Sequence, residues 1–424
     1  MSSAPSSVQP SPPDTDRDRL VSLDGLRGLA ALIVVFSHLA LTFVPFSDVW
    51  IVPTANHPPI WSFDWWFTST PAELLIAGSE AVLVFFVLSG LVVALPVLRK
   101  PAFDWAGYFP QRIARLVIPA IASVALAIVW ILATSQSTGS STSLWVAAYR
   151  FRGVTLAQVA DSVDLLFGGG ILNNPLWTLT WEIIFSLLLP IFVVFGLWTR
   201  RFWWVVILGC FPLVAIGTMT GDGSFTFLPV FLVGTVLAVR LEETRAWARR
   251  HENSRWWNWA AVGVLVVSLL LLDLHWTLWG FLGGPPKFQA TATALQFFGA
   301  FGLVLLAVIW RPASRLLSTR LFRWLGRISF SLYLVHVPII IAIDGLFGKS
   351  SPLLRIVVSL VIALAIAEAF ARFVEQPAHR FSRRLGRASS RILRSRAGQL
   401  PESPPSGDGA ADSGRGIRPA RREP

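Results

Sequence analysis

A guanidinium and an imidazole eleven residues apart, Arg27 and His38, are the first pair in this chain whose types and spacing could do chemistry. His38 stands inside the apolar run that follows Gly28, and Arg27 stands at its edge. An ionisable side chain within such a run is costly, so each one is a functional candidate until a structural partner is found. A neutral imidazole, with an ordinary pKa of about 6.5, can accept the proton of an attacking hydroxyl, which is general-base chemistry. Eleven residues are close to three whole helical turns, so the two side chains share a helix face with an axial rise of roughly 16 Å. That spacing puts the guanidinium at a membrane boundary and the imidazole near the middle of an apolar layer about 30 Å thick. The alternative is a histidine bonded to a neighbouring helix beside an arginine that only marks the boundary, and residue types alone leave both open.

Other ionisable groups fall into similar places. His336 lies well inside a later apolar run, three residues after Tyr333, where it could orient a substrate or simply bond a carbonyl or that phenol. Glu80 and Glu182 lie toward the opposite membrane boundary from Arg27, where a carboxylate could bind acceptor hydroxyls or orient an imidazole. Arg99, Lys100, Arg112 and Arg115 join Arg27 at its boundary, suited to the phosphates of a nucleotide-linked donor. Some of these cations serve topology alone, Lys100 first among them. Ser89 beside Gly90 fits helix packing better than nucleophilic catalysis. His57, His251, His275 and His379 are scattered without ligand spacing, so no metal is expected, and no glycine-rich phosphate loop is present. Most tryptophans flank apolar runs as interfacial belts, while Trp61 or Trp177 could stack on a glycan.

The elements that position these groups must be membrane helices. Of 424 residues 54% are hydrophobic, and mean hydropathy is +0.60, more continuous apolar length than a soluble core needs. Apolar windows fall near 25–46, 72–98, 112–134, 175–197, 202–220, 224–240, 256–274, 292–310, 328–347 and 353–374. The windows holding Pro212 and Pro229 could be kinked or re-entrant. All but Arg150, Arg152, Lys287, Lys349 and Arg355 of the 36 Lys and Arg fall on one side if the windows alternate, which by the positive-inside rule puts both termini in the cytoplasm. The net charge of +12 therefore reports topology, not nucleic-acid binding. The fold class is all-α, a polytopic membrane protein of about ten transmembrane helices. Residues 1–20 read as a disordered N-terminal segment, 21–377 as the transmembrane domain, and 378–424 as a basic, largely disordered cytoplasmic tail that begins as a surface helix. The connection 135–174, with Gly168 to Asn174 at its end, could shape a site on the outer face. Cys210 has no disulfide partner.

Six motifs in order along the chain resemble the membrane-bound acyltransferase-3 family, which includes bacterial polysaccharide O-acetyltransferases. They are Leu23-Asp24-Gly25-Leu26-Arg27-Gly28 with His38, Phe85-Phe86-Val87-Leu88-Ser89-Gly90, Tyr108 with Arg112, Arg115, Leu116 and Pro119, Leu176-Trp177-Thr178-Leu179 with Glu182, Ser329 through Tyr333-Leu334-Val335-His336-Val337-Pro338, and Glu375-Gln376-Pro377. Thr178 stands where the family usually has Ser, Phe330 where it often has Tyr, and Leu83 where an acid is frequent, with Glu80 one helical turn away.

The resemblance implies that His38 is the catalytic residue and favours Glu182 as its partner. It implies a co-substrate, acyl-CoA with acetyl-CoA foremost, bound by Arg27, Arg99, Arg112 and Arg115 at the cytoplasmic face. Its pantetheine arm would run up one passage from Arg27 to His38. Glu80, His336, Tyr333 and Trp177 would bind the acceptor, a hydroxyl of a cell-envelope carbohydrate, glycolipid or small molecule. The implied location is a multi-pass protein of the bacterial plasma membrane, with the lipid bilayer as its partner and no nucleic acid. The competing reading is a proton-coupled transporter, since buried His and Glu would serve a carrier too, but no internal repeat supports it.

Overall fold

The structure is a computed structural model that describes residues 15–51, 58–134, 143–282, 286–348 and 351–397. The expected N-terminal segment up to residue 14, the Ser- and Thr-rich stretch 135–142, Lys349 and the tail from residue 398 lie outside the described residues. Among the described residues every regular element is helical. An apolar layer demands this, because without water each backbone N–H and C=O must find its partner within the same segment.

The elements used below are α1 (Thr15–Ala40), α2 (Gly78–Leu98), α3 (Trp105–Thr134), α4 (Leu144–Tyr149), α5 (Trp177–Trp198), α6 (Trp203–Thr220), α7 (Gly223–Val239), α8 (Leu241–His251), α9 (Arg255–Leu282), α10 (Pro286–Ile309), α11 (Arg320–Phe347), α12 (Pro352–Phe370) and α13 (Gln376–Ala397). Nine stretches of described helix are long and apolar enough to cross a membrane, and ten if α7 and α8, bent by 64° at their junction, form one span. Pro212 and Pro229 both sit inside continuous helices. The bend falls instead at Arg240, where the apolar run gives way to Glu242 and Glu243. The first apolar window also divides: α1 ends at Ala40, and a short helix, Val44–Ile51, follows a turn.

Two buried clusters hold the bundle. One gathers α2, α7 and α10 with parts of α1 and α5, and the other gathers α1, α3, α11 and α12. At the first, a Cβ on Gly90 would meet the Phe231 carbonyl, and one on Gly234 would meet the Val87 carbonyl, so α2 and α7 touch backbone to backbone. Phe86 stacks on Phe231 at 4.5 Å, and Phe231 on Phe185 at 4.5 Å. The Phe85–Gly90 motif thus has a packing reason.

The contact that matters most for the site joins α1 to α11. Gly28 lies against the Leu325 and Gly326 backbone, with no room for a Cβ. His38 follows Gly28 by ten residues, and His336 follows Gly326 by ten. Ten is a heptad plus three, which keeps one helix face, so two parallel helices in contact at the glycines meet again at the histidines about 15 Å further on. Overpacking a tight contact costs about 1–3 kcal/mol. Gly28→Ala is therefore expected to lower the thermal unfolding midpoint in detergent. Gly263→Ala, whose Cβ would enter open space, leaves it unchanged or higher. Equal midpoints for the two variants would show that the glycine contact does not set this register.

Candidate active site

His38 and His336 form a pair. His336 Nε2 lies 3.3 Å from His38 Nδ1, with ring centroids 4.9 Å apart and edge to face. His38 Nδ1 is also 2.9 Å from the Val34 carbonyl, and His336 Nδ1 is 3.1 Å from the Leu332 carbonyl. Carbonyl oxygens only accept, which assigns a proton to Nδ1 of each ring. His38 Nδ1–H is then shared between Val34 and His336 Nε2. The His38 Nε2 lone pair is left without a hydrogen bond among the described residues. His336 is fully buried, whereas His38 keeps part of its surface open.

The segment around His336 is held by an unusual bond. Pro338 has no N–H, so the Leu334 carbonyl lacks its donor four residues on. Asn173 Nδ2 supplies one at 2.9 Å and reaches Ser123 Oγ at 3.0 Å. The Gly168–Asn174 stretch thus anchors to α11 two residues before His336.

A cavity of about 900 Å³ opens at the basic end of the bundle. Arg27, Lys100, Arg112, Arg115, Arg323, Arg327 and Arg387 line it against the acids Asp24, Asp104, Glu182 and Glu375, so its walls carry net positive charge. Arg27 sits 3.8 Å from Asp24. Arg112 donates to Glu182 at 2.8 Å and to Ser186 Oγ at 3.0 Å, and the Tyr108 hydroxyl reaches the Ser186 carbonyl. Arg115 Nε donates to His379 Nε2 at 3.0 Å. Glu375 accepts from Ser331 Oγ at 2.5 Å.

Tyr333 lines the cavity and packs on His336 behind it. Thr178 gives its proton to the Pro175 carbonyl at 3.0 Å, so the Tyr333 hydroxyl is the donor in their 2.9 Å bond. Phe85 packs edge-on against Tyr333, whose ring lies 5.9 Å from that of His336. Neither histidine lines the cavity, so the expected single passage from Arg27 to His38 is not continuous.

The structure brings together Arg27, Arg112, Arg115, Glu182 and Tyr333 at the cavity, and His38 with His336 beyond it. Several expected partnerships are not formed. Glu182 pairs with Arg112 rather than with His38, because α5 packs on α2, α3 and α7 while α1 packs on α11. Arg99 is exposed at the end of α2 and stays out of the cavity, whereas Lys100 lines it. Glu80 accepts from Trp276 Nε1 at 3.1 Å and Gln296 Nε2 at 2.9 Å, in a buried group with Glu73 and Asp273. Burial, with Glu80 and Asp273 nearby, holds the Glu73 carboxyl well above the usual carboxylate range. Trp177 packs on Phe227 at 5.3 Å.

Residues that pattern reading passed over also reach the site. His379 and Arg387 on α13 line the cavity with Glu375, and their spacing in multiples of four was the available signal. α13 packs along α3, so the basic helix is part of the cavity wall. Trp145 on α4 is fully buried with its ring 5.3 Å from that of His38, and nothing in the local sequence marks it.

The family model described as an acyltransferase domain matches residues 20–372. The chain is 24% identical over 391 residues to the protein of Bacillus subtilis named "Putative peptidoglycan O-acetyltransferase YrhL", a match covering 84% of this chain and 54% of that one. It is 27% identical over 380 residues to "O-acetyltransferase PaAT-1" of Phomopsis amygdali, covering 77% of this chain and 73% of that one. It is 32% identical over 87 residues to "Peptidoglycan O-acetyltransferase OatA" of Listeria monocytogenes, covering 20% and 14%. The chain thus spans about half the length of the Bacillus protein. No solved structure matches.

Proposed function

The chain belongs to the acyltransferase-3 family, and from that membership we propose that it is an integral membrane O-acyltransferase drawing on an acyl-CoA, acetyl-CoA foremost, at its basic face. The acceptor is a hydroxyl of an envelope glycan or glycolipid at the other face, with a peptidoglycan sugar first to test given the names of two relatives. The basic face is cytoplasmic under this reading, as the positive-inside rule expects, and the membrane is the bacterial plasma membrane.

One observation carries the proposal: a cation-lined cavity reaches Tyr333, whose ring lies against His336, the hydrogen-bond partner of a histidine whose Nε2 lone pair is unspent among the described residues. Arginines bind phosphates through charge-assisted, often forked hydrogen bonds, so the adenosine and pyrophosphate end belongs among Arg27, Arg112 and Arg115. The pantetheine arm then points at Tyr333, and the Tyr333–Thr178 bond opens to let the thioester reach His38. There Nε2 takes the proton of the acceptor hydroxyl, whose oxygen attacks the thioester carbonyl carbon. The C–O bond forms, the C–S bond breaks, and the proton passes from His38 to the departing thiolate. A general base of this kind supplies about 10²- to 10⁴-fold. His336 holds His38 in the tautomer that leaves Nε2 free.

Purified protein in detergent, given acetyl-labelled acetyl-CoA and a peptidoglycan oligosaccharide, is expected to release free thiol and to form a labelled ester cleaved by mild alkali. Intact acetyl-CoA after many protein equivalents of incubation, with no labelled ester, would remove the donor assignment.

A further inference from the structure

Trp145 carries a hydrogen-bond donor for which the described residues offer no acceptor. Its helix, α4, is tied to the segment that follows α1 by two bonds. Ser143 Oγ donates to the Leu41 carbonyl at 2.6 Å, and Trp145 N donates to Ser47 Oγ at 2.9 Å. These bonds drive the indole into the bundle, where it is fully buried against His38, tilted by 54° with ring centroids 5.3 Å apart. Its Nε1–H is buried and has no hydrogen-bond partner among the described residues.

Buried indole N–H groups ordinarily find acceptors, and leaving one unpaired costs stability. Trp276 reaches Glu80, Trp310 reaches Asn258 and Trp324 reaches Glu368. Trp130 Nε1 is also unpaired among the described residues, but it is the Trp145 ring that packs on the imidazole with a free lone pair.

We propose that the Trp145 indole N–H is the oxyanion donor of the acyl transfer. The inference rests on the reading of His38 as the base acting on a thioester. When the acceptor oxygen adds to the thioester carbonyl carbon, the C=O electron pair moves onto the carbonyl oxygen, and Nε1–H hydrogen-bonds that oxygen. Collapse restores the C=O bond and expels the thiolate, which takes its proton from His38, so Trp145 neither gains nor loses a proton.

Two features select the oxyanion over the acceptor hydroxyl as its target. An indole has a donor and no lone pair, so it serves the atom that gains negative charge, while the atom that loses a proton needs the His38 lone pair. The side-chain donors of His336 and Tyr333 are committed. His336 Nδ1–H goes to Leu332, the Tyr333 hydroxyl goes to Thr178, and backbone N–H groups within α1 and α11 are spent on their helices.

The test replaces the single N–H with sulfur by incorporating 3-benzothienylalanine at position 145, which keeps shape and area. Trp145→Phe serves as a second variant. With acetyl-CoA and the peptidoglycan oligosaccharide, kcat is expected to fall about 10²- to 10³-fold, the effect of losing one oxyanion donor, with KM for acetyl-CoA within about twofold. The unfolding midpoint of the sulfur isostere should match or exceed that of the wild type, because no bond of the resting protein is lost. A kcat within about threefold of wild type would overturn the assignment, because oxyanion donors contribute far more. So would a clear drop in the isostere's midpoint, which would reveal a resting partner. A wild-type protein that releases no thiol overturns the acyl-transfer reading and this inference with it. An active wild type with an undiminished isostere overturns only the role of Trp145.

Discussion

His38→Ala is expected to reduce acceptor-dependent thiol release by at least about 10³-fold in kcat, near the upper range for a general base. The unfolding midpoint should stay close to that of the wild type. The size follows from the hydrogen-bond assignment. Both Nδ1 atoms point their protons at carbonyls, and His336 Nε2 faces His38 from a fully buried position. His38 Nε2 is then the lone pair of the pair that an acceptor can approach. Alanine removes it, and His336 lies one ring too far back to replace it. His336→Ala should cost less, because its loss loosens the His38 ring without removing the base. Measured kcat values for the two variants, each with retained monodispersity, decide the matter. A His38→Ala protein keeping a tenth or more of wild-type kcat would exclude His38 as the base.

Arg115→Ala is expected to raise KM for acetyl-CoA about 10- to 100-fold while leaving kcat within a few-fold, the effect of losing one hydrogen bond to a charged group of about 1.5–3 kcal/mol. Arg115 is the informative cation because its Nε contacts a neutral ring nitrogen, and no carboxylate lies within salt-bridge distance of it among the described residues. Its charge is thus available to a phosphate. Arg112 would be a poor choice, since its removal leaves the half-buried Glu182 carboxylate uncompensated and confounds binding with folding. The control is acetyl-pantetheine, which carries the thioester but no phosphate. Variant and wild type should share one KM for it. A shift of equal size for both donors would mean that Arg115 shapes the cavity rather than holding the nucleotide.

The ring of Tyr333 connects the two predictions. Donor binding is read on the cavity side and chemistry on the histidine side, so the variants should separate cleanly into KM and kcat effects. This partition follows from Tyr333 lining the cavity while His336, on which its ring packs, does not.

Much of this protein was legible in its residue order. The membrane spans were readable because a bilayer imposes one requirement, about twenty apolar residues per crossing with backbone bonds closed within the segment. The shared face of Arg27 and His38 was readable because helix geometry sets it locally. Glu182's partner was not, and neither was His336's. Helix periodicity says which face a residue occupies but not which neighbour that face meets, and the order of helices in the bundle decided for His336 over Glu182. The bend at Arg240 likewise escaped a reading that looked to Pro229, because a helix packed on all sides can absorb a proline and break where its apolar run ends. Trp145 is the sharpest case. A six-residue helix in a connecting stretch has no pattern long enough to reveal that it turns inward. Only the bonds from Ser143 to Leu41 and from Trp145 to Ser47, made across about a hundred residues of chain, carry its indole to the imidazole. Local order specified the helices and their faces; contacts between residues distant in the chain built the site.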